Sequence, residues 1–117
     1  MYRIAKQFHF SASHIIEGVP STHKCSRLHG HNYIVELVLE SSELDGVGFI
    51  VDYHDLKPFK NIIDDELDHR HLNDILPGST SAEAIAEWLY QRAKVLWPQV
   101  CLIRVSETPK TWAEYYE

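Results

Sequence analysis

The sequence predicts an α+β fold with elements in the order ββααββ, two helices covering one face of a four-stranded antiparallel sheet. Three observations predict it. Apolar and polar residues alternate over residues 2–13 and again over 29–39. Apolar residues recur at helical spacing from Leu56 to Leu67 and from Ile85 to Leu96. Gly- and Pro-bearing stretches separate these segments.

In the first strand Tyr2, Ile4, Phe8, Phe10 and Ala12 share one face, with Arg3, Gln7, His9 and Ser11 on the other and Lys6 as the one exception. His14 keeps the parity of the phenylalanines, so it points to the core side where the strand ends. Residues 15–28, with Gly18, Pro20, Ser21 and Thr22, hold no period and read as a loop. In the second strand His29, His31, Tyr33, Val35, Leu37 and Leu39 share a face opposite Asn32, Glu36 and Glu40. The period of two places both histidines on one side, about 7 Å apart along the strand.

Ser41 to Gly48 is a turn region, followed by a short apolar piece at Phe49 to Val51. Asp52, with Asp55 three residues on, reads as an N-cap. Leu56, Phe59, Ile63 and Leu67 then mark a helix over about residues 53–66, and Pro58 sits in its first turn, where a missing N–H is tolerated. Asp68 to Asn73 follows as a polar segment closed by Pro77-Gly78. Thr80 and Glu83 have the spacing of a capping box for a second helix, whose face runs through Ile85, Trp88, Leu89, Arg92 and Leu96 until Pro98 stops it. Val100 to Glu107 is the third strand, with Cys101, Ile103 and Val105 on its apolar side and Glu107 ending that side. Pro109-Lys110 turns the chain into a last strand over Trp112 to Tyr116.

With 117 residues the chain is expected to form one domain, 1–117, able to bury roughly two thirds of its unfolded surface. A hydrophobic content of 44% against 24% charged residues excludes a disordered chain. The net charge of −6 argues against nucleic acid or an anionic membrane as a partner, since both select a basic footprint. Charged residues in Met1 to Lys6 interrupt any secretory signal there, and no apolar run approaches the roughly 18 residues of a membrane span, so the cytoplasm is the expected location. Cys25 and Cys101 do not make a disulfide framework, which leaves Cys25 available as a thiol.

The chemistry concentrates in Cys25-Ser-Arg-Leu-His29-Gly30-His31. His14, His29 and His31 at matching parity form a candidate zinc site, because three neutral imidazoles hold zinc and leave a fourth position for a substrate oxygen. Cys25 is either a catalytic thiol, its thiolate favoured by the metal and by Lys24 and Arg27, or a fourth ligand that makes the site structural. Lys24 and Arg27 also offer local positive charge for a phosphorylated substrate. Cys101, in an apolar strand, is assigned to the core. Asp68-His69 is either a polar helix end or a carboxylate-oriented imidazole acting as a proton relay, with His71 as an alternative member. Glu107 reads as a surface residue or one half of an interchain ion pair, or as the anchor for a heterocycle with two adjacent N–H donors. His9, His23 and His54 are read as solvated.

These residues are similar to the motifs of the 6-pyruvoyl-tetrahydropterin synthase family, and especially of its bacterial 6-carboxytetrahydropterin synthase branch in queuosine biosynthesis. The resemblance runs from Phe8-His-Phe-Ser-Ala-Ser-His14 through Cys25-x3-His-Gly-His31, Val51-Asp-Tyr, Leu67-Asp-His69 and Leu72-Asn73 to Ser106-Glu107-Thr108. It implies one Zn2+ per subunit held by His14, His29 and His31, with Cys25 as catalytic thiol and Asp68 and His69 as its relay. It implies Glu107 as the pterin anchor with Thr108 beside it, and Ser81 as the substitute for a threonine that contacts the pterin from a neighbouring chain. The tunnelling fold (T-fold) is implied too, in which three four-stranded sheets join into a barrel and two trimers stack into a homohexamer with active sites between subunits. The implied reaction converts 7,8-dihydroneopterin triphosphate to 6-carboxy-5,6,7,8-tetrahydropterin, releasing acetaldehyde and triphosphate. The three-residue gap between Cys25 and His29 resembles the carboxy branch; the alternatives are the pyruvoyl reaction on the same substrate and a non-catalytic zinc-stabilised binding module.

Overall fold

In the computed structural model, which describes residues 1–117, the two alternating segments become the two longest strands. β1 (Tyr2–His14) and β2 (His29–Ser41) pair antiparallel from Tyr2 opposite Ser41 to His14 opposite His29. Directly opposed residues share a face, so Phe8, Phe10, Ala12 and His14 stand beside Val35, Tyr33, His31 and His29. β4 (Val100–Thr108) pairs antiparallel with the other side of β2, and β5 (Thr111–Tyr115) folds back on β4.

A fifth strand corrects the four-stranded antiparallel expectation. β3 is only Arg70–His71 and runs parallel to β1, with Ala12 opposite Arg70 and Ser13 opposite His71, giving a mixed sheet in the order β3-β1-β2-β4-β5. Two residues carry no period, so the sequence pattern is blind to this strand. It forms because the neighbouring Ser11 backbone captures Asp68 and His69, as described below.

The helical segment around residues 53–66 is a continuous path of three geometries. A 3₁₀ turn (Tyr53–Leu56) is capped by Asp52, whose carboxylate accepts the His54 N–H at 2.9 Å; α1 (Lys57–Ile62) follows, then a π turn (Ile63–Leu67). The wide turn closes through the Asp68 N–H donating to the Ile63 carbonyl at 2.9 Å, which leaves Asp68 extended as the chain leaves the helix. α2 (Ala82–Leu96) starts one residue later than expected. Ser81, not Thr80, is the N-cap, accepting the Ala84 N–H at 3.2 Å, because Thr80 is buried and bonded elsewhere.

Both helical segments pack on the face of the sheet that carries the phenylalanines. Leu56, Phe59, Ile63 and Leu67, all predicted to share a face, are fully buried with Ile85, Leu89 and Ala93 of α2 against Val35, Leu37, Leu39, Ile103 and Val105. Phe8 meets Phe59 edge-on at 5.0 Å, and Phe10 stacks on Tyr33 at 4.6 Å. The helical periodicity overreached at Leu96, which is exposed at the end of α2.

Cys101 does not lie in the core. Leu39 pairs with Val100 and Val38 with Leu102, so Cys101 is the extra residue of a β-bulge. The bulge shifts parity and puts Val100 rather than Cys101 inside with Ile103 and Val105. The Cys101 thiol is partly buried and bonded to the Val38 carbonyl at 3.6 Å, and desolvation raises its pKa.

The molecule is elongated, 55 × 25 × 25 Å, and its radius of gyration of 15.3 Å exceeds the roughly 13 Å of a compact domain of this length. Two strand edges are open: the outer edge of β5, and that of β1 before it reaches β3. No helix is long and apolar enough to cross a membrane.

Candidate metal centre and active site

Antiparallel pairing brings the end of β1, the start of β2 and the end of β4 to one end of the sheet. His14, His29, His31 and Glu107 meet there. The ligand atoms of the three histidines all lie within 4.8 Å of one another, and Cys25 is not a member of the group. A tetrahedral zinc with Zn–N bonds of about 2.0–2.1 Å spaces its nitrogens by about 3.3 Å, which lies between the 2.9 Å of the His14–His29 pair and the 4.8 Å limit of the group.

Hydrogen bonding fixes which nitrogens face inward. His14 Nδ1 lies 2.8 Å from the Thr80 carbonyl and His29 Nδ1 lies 2.7 Å from the Arg27 carbonyl. A carbonyl only accepts, so each Nδ1 carries the proton and each Nε2 presents a lone pair. Those two Nε2 atoms face one another at 2.9 Å. Two lone pairs at that distance repel unless a cation lies between them. Burial also holds the His14 pKa below its ordinary value, the Thr80 carbonyl and Glu107 opposing the shift, which favours the neutral, ligating form. His31 Nε2 is buried and lacks a hydrogen bond, although Glu107 Oε2 lies 2.9 Å away outside hydrogen-bond geometry. Three converging imidazole nitrogens, one of them orphaned, fit a divalent metal.

Backbone geometry supports the cluster. A Cβ on Gly30 would meet the Ala12 carbonyl oxygen at 3.1 Å, so the residue between the two histidines lets β2 lie close against β1. Tyr33 is fully buried beneath the site, its hydroxyl 3.4 Å from His14 Nδ1, and desolvation drives its pKa well above the ordinary phenol range.

Cys25 lies on a short 3₁₀ turn, Lys24–Ser26, with its side chain partly exposed. The Ile16 N–H donates to its carbonyl at 2.9 Å, tying the turn to the chain just past His14. His23 is exposed, as expected, and it also caps this turn: its Nδ1 accepts the Cys25 N–H at 3.0 Å. Lys24 and Arg27 flank the thiol with exposed side chains, and the Arg27 backbone supplies the carbonyl that orients His29.

Asp68 and His69 form a real pair. Asp68 Oδ1 accepts the Ser11 N–H at 2.9 Å and Oδ2 lies 2.9 Å from His69 Nδ1. The Ser11 bond, with the His69 interaction, holds the Asp68 carboxyl below its usual pKa. His69 adopts a left-handed backbone, φ 58°, uncommon for a non-glycine residue and fixed by its N–H donating to the Ser11 carbonyl at 2.6 Å. Asp68 and His69 are anchored at Ser11 and Cys25 at Ile16, positions separated by up to roughly 16 Å of extended chain. His69 lines a cleft of about 500 Å3 with Ser11, Asn32 and His71, and Cys25 is not on its walls. His71 is engaged by the Ser13 hydroxyl at 3.0 Å.

Of the remaining expected contacts, Thr108 is the last residue of β4, with its hydroxyl 3.0 Å from that of Thr111 at the start of β5. The Ser81 hydroxyl oxygen is used as the α2 cap and its proton remains available. The sequence assigns no site role to Thr80, named there as a cap, or to Asn73, named there only within a motif: Thr80 orients His14, and Asn73 bonds the backbone of Ile15.

An α+β sheet that gathers three histidines able to hold a metal ion at one end, with the Glu107 carboxylate 2.9 Å from one of them, frames a candidate metal site. The chain belongs to the 6-pyruvoyl tetrahydropterin synthase family, whose model it matches over residues 3–117. It is 30% identical to the 6-carboxy-5,6,7,8-tetrahydropterin synthase of Haemophilus influenzae, with both chains covered in full. The Bacillus subtilis protein of the same name is also 30% identical, over 97% of this chain and 84% of the relative. The structure of Caenorhabditis elegans 6-pyruvoyl tetrahydropterin synthase superposes with a TM-score of 0.87 over 99% of this chain and 95% of that one, at 24% identity.

Proposed function

We propose that this chain converts 7,8-dihydroneopterin triphosphate to 6-carboxy-5,6,7,8-tetrahydropterin, releasing acetaldehyde and triphosphate, as a zinc-dependent lyase of queuosine biosynthesis. The observation that carries the reading is the pair of facing Nε2 lone pairs 2.9 Å apart, with the orphaned His31 nitrogen beside them, in a chain related over its whole length to enzymes named for this product. His14, His29 and His31 would hold the zinc, which when bound polarises and acidifies substrate hydroxyls.

The chain's own residues supply the rest. Glu107 accepts two N–H bonds from the pyrimidine edge of the pterin, a charge-assisted bidentate contact that fixes which end of the substrate faces the metal. Thr108 and Ser81 add hydroxyl donors, and Lys24 and Arg27 neutralise the triphosphate. The Cys25 thiolate takes and returns protons along the substrate side chain, and the reducing cytoplasm keeps it a thiol. Asp68 orients His69 as the partner acid and base. In this reading Asp68 and His69, anchored at Ser11 while Cys25 is anchored at Ile16, serve the thiol of a neighbouring copy. The open edges of β1 and β5 and the elongated shape support such an assembly, a dimer of trimers with sites between subunits.

The test is to incubate the zinc-loaded protein with dihydroneopterin triphosphate and identify products by mass. The 6-carboxy pterin with acetaldehyde is expected. A 6-pyruvoyl product without acetaldehyde assigns the pyruvoyl reaction instead, and no turnover with metal present refutes the enzyme reading.

A further inference from the structure

We propose that Asn73 is a positioning residue for the metal centre, its carboxamide standing in for a peptide group at the end of the β3–β1 ladder and fixing the backbone that carries His14. The inference rests on the metal reading of the three histidines. Residues 68–71 run beside residues 11–13 as a ladder. The Ser11 N–H donates to Asp68, the Ser11 carbonyl accepts from His69, and then Ala12 lies opposite Arg70 and Ser13 opposite His71. Beyond His71 the chain coils into a 3₁₀ turn, Leu72–Asp74, and its backbone leaves β1.

Ile15 would then have its N–H unpaired and its carbonyl held only by the long bond from the Thr80 hydroxyl, 3.4 Å. Asn73 supplies both partners. Its Oδ1 accepts the Ile15 N–H at 2.9 Å and its Nδ2 donates to the Ile15 carbonyl at 2.9 Å. Only one orientation of the amide satisfies both bonds. A two-point contact fixes the orientation of the backbone as well as its position, and the first peptide it holds is the one joining His14 to Ile15.

His14 is thereby gripped twice. Its ring is held by the Thr80 carbonyl at 2.8 Å and its backbone by Asn73, while the Thr80 hydroxyl donates to the same Ile15 carbonyl at 3.4 Å. The ring is fully buried with its Nε2 aimed at His29, so a small backbone shift moves the ligand atom directly. Groups that orient ligands without touching metal typically change affinity about 10- to 100-fold when removed.

The experiment measures Co2+ binding by competition with a chelator, together with the visible d–d spectrum of the bound ion, in wild type, Asn73→Ala and Ile103→Val. Ile103 is a buried β4 residue opposite Leu37, away from the cluster, so its variant lowers stability without reaching the histidines. Asn73→Ala is expected to bind Co2+ at least about tenfold more weakly with an altered spectrum, and Ile103→Val to match wild type. If Asn73→Ala does not fold, Asn73→Ser carries the same comparison. Wild-type affinity and spectrum in the Asn73 variant, or equal weakening in both variants, overturns the inference while leaving the metal reading intact. A wild-type protein that binds no Co2+ overturns the metal reading and this inference with it.

Discussion

Cys25→Ala separates a catalytic thiol from a fourth metal ligand, and the two readings differ by large amounts. The thiol is outside the group of converging ligand atoms. The bonds that hold its turn, the Ile16 N–H to the Cys25 carbonyl and the Cys25 N–H to His23, use only the Cys25 backbone. Truncating a partly exposed side chain with no bonding role should therefore change stability by only about 0.5 kcal/mol. For a 117-residue chain, unfolding entropy scales to roughly 0.25 kcal/mol per kelvin, so Tm should move by about 2 °C. Zinc should stay bound at one per chain, and turnover should fall by about 10²- to 10⁴-fold, or roughly 2.7–5.4 kcal/mol of barrier. A closed four-ligand site predicts the opposite, because structural zinc supplies about 10–16 kcal/mol in small zinc domains and losing a ligand forfeits much of it. Zinc content by elemental analysis, thermal denaturation and product formation on one preparation decide the matter. Loss of zinc and a collapsed Tm, or retained turnover, would refute the reasoning.

Chelation should lower Tm without unfolding the protein at room temperature, since the apolar core does not include the metal site; at zinc levels 1,000 times its Kd the loss is about 4 kcal/mol, roughly 15 °C. A Tm unmoved by EDTA, checked by calorimetry, would show that the histidines hold no metal. Asp68 gives a pH signature. Its folded pKa is depressed, so its contribution to stability is present above the unfolded carboxyl value near 3.9 and is lost as pH falls through the folded value. Asp68→Asn should consequently cost stability at pH 7 and converge on wild type in acid, and a Tm difference independent of pH would count against it. Glu107→Gln keeps the side chain's shape but removes charge-assisted bonding, and kcat/KM should fall roughly 10- to 150-fold, mostly through KM; an unchanged KM would remove Glu107 from the pterin contact.

What the sequence made legible follows from range. Parity along β1 and β2 placed His14, His29 and His31 on one face because a strand's period is local, and pairing the two strands brought them together. Helical spacing likewise identified Leu56, Phe59, Ile63 and Leu67 as a core face. The bulge at Cys101 was invisible because it depends on how β4 meets β2, and one inserted residue reverses every side chain before it. Thr80 was misplaced for the same kind of reason: its spacing to Glu83 suits a cap, but its carbonyl is committed to a histidine 66 residues away. Asn73 and β3 also act across 58 residues, where no periodic pattern reaches.

The residues that pattern reading missed share a location, and that location explains how the site is built. Strand direction alone assembles the metal cluster, since β1 ends, β2 begins and β4 ends at the same end of the sheet. The segment from Ser11 to Ile15 then serves two tasks. Its backbone fixes the Asp68–His69 pair at Ser11, and four residues on it is itself fixed by Asn73 beside His14. The histidine cluster and the Asp68–His69 pair are thus both tied to the end of β1 and the residue after it, and His31 and His69 line one cleft. In the proposed assembly a second copy brings its thiol to the cleft at His69, and activity is then expected to depend on assembly. Dilution to the monomer, followed by light scattering alongside turnover, should abolish the reaction while leaving Co2+ binding intact; a fully active monomer would break this argument.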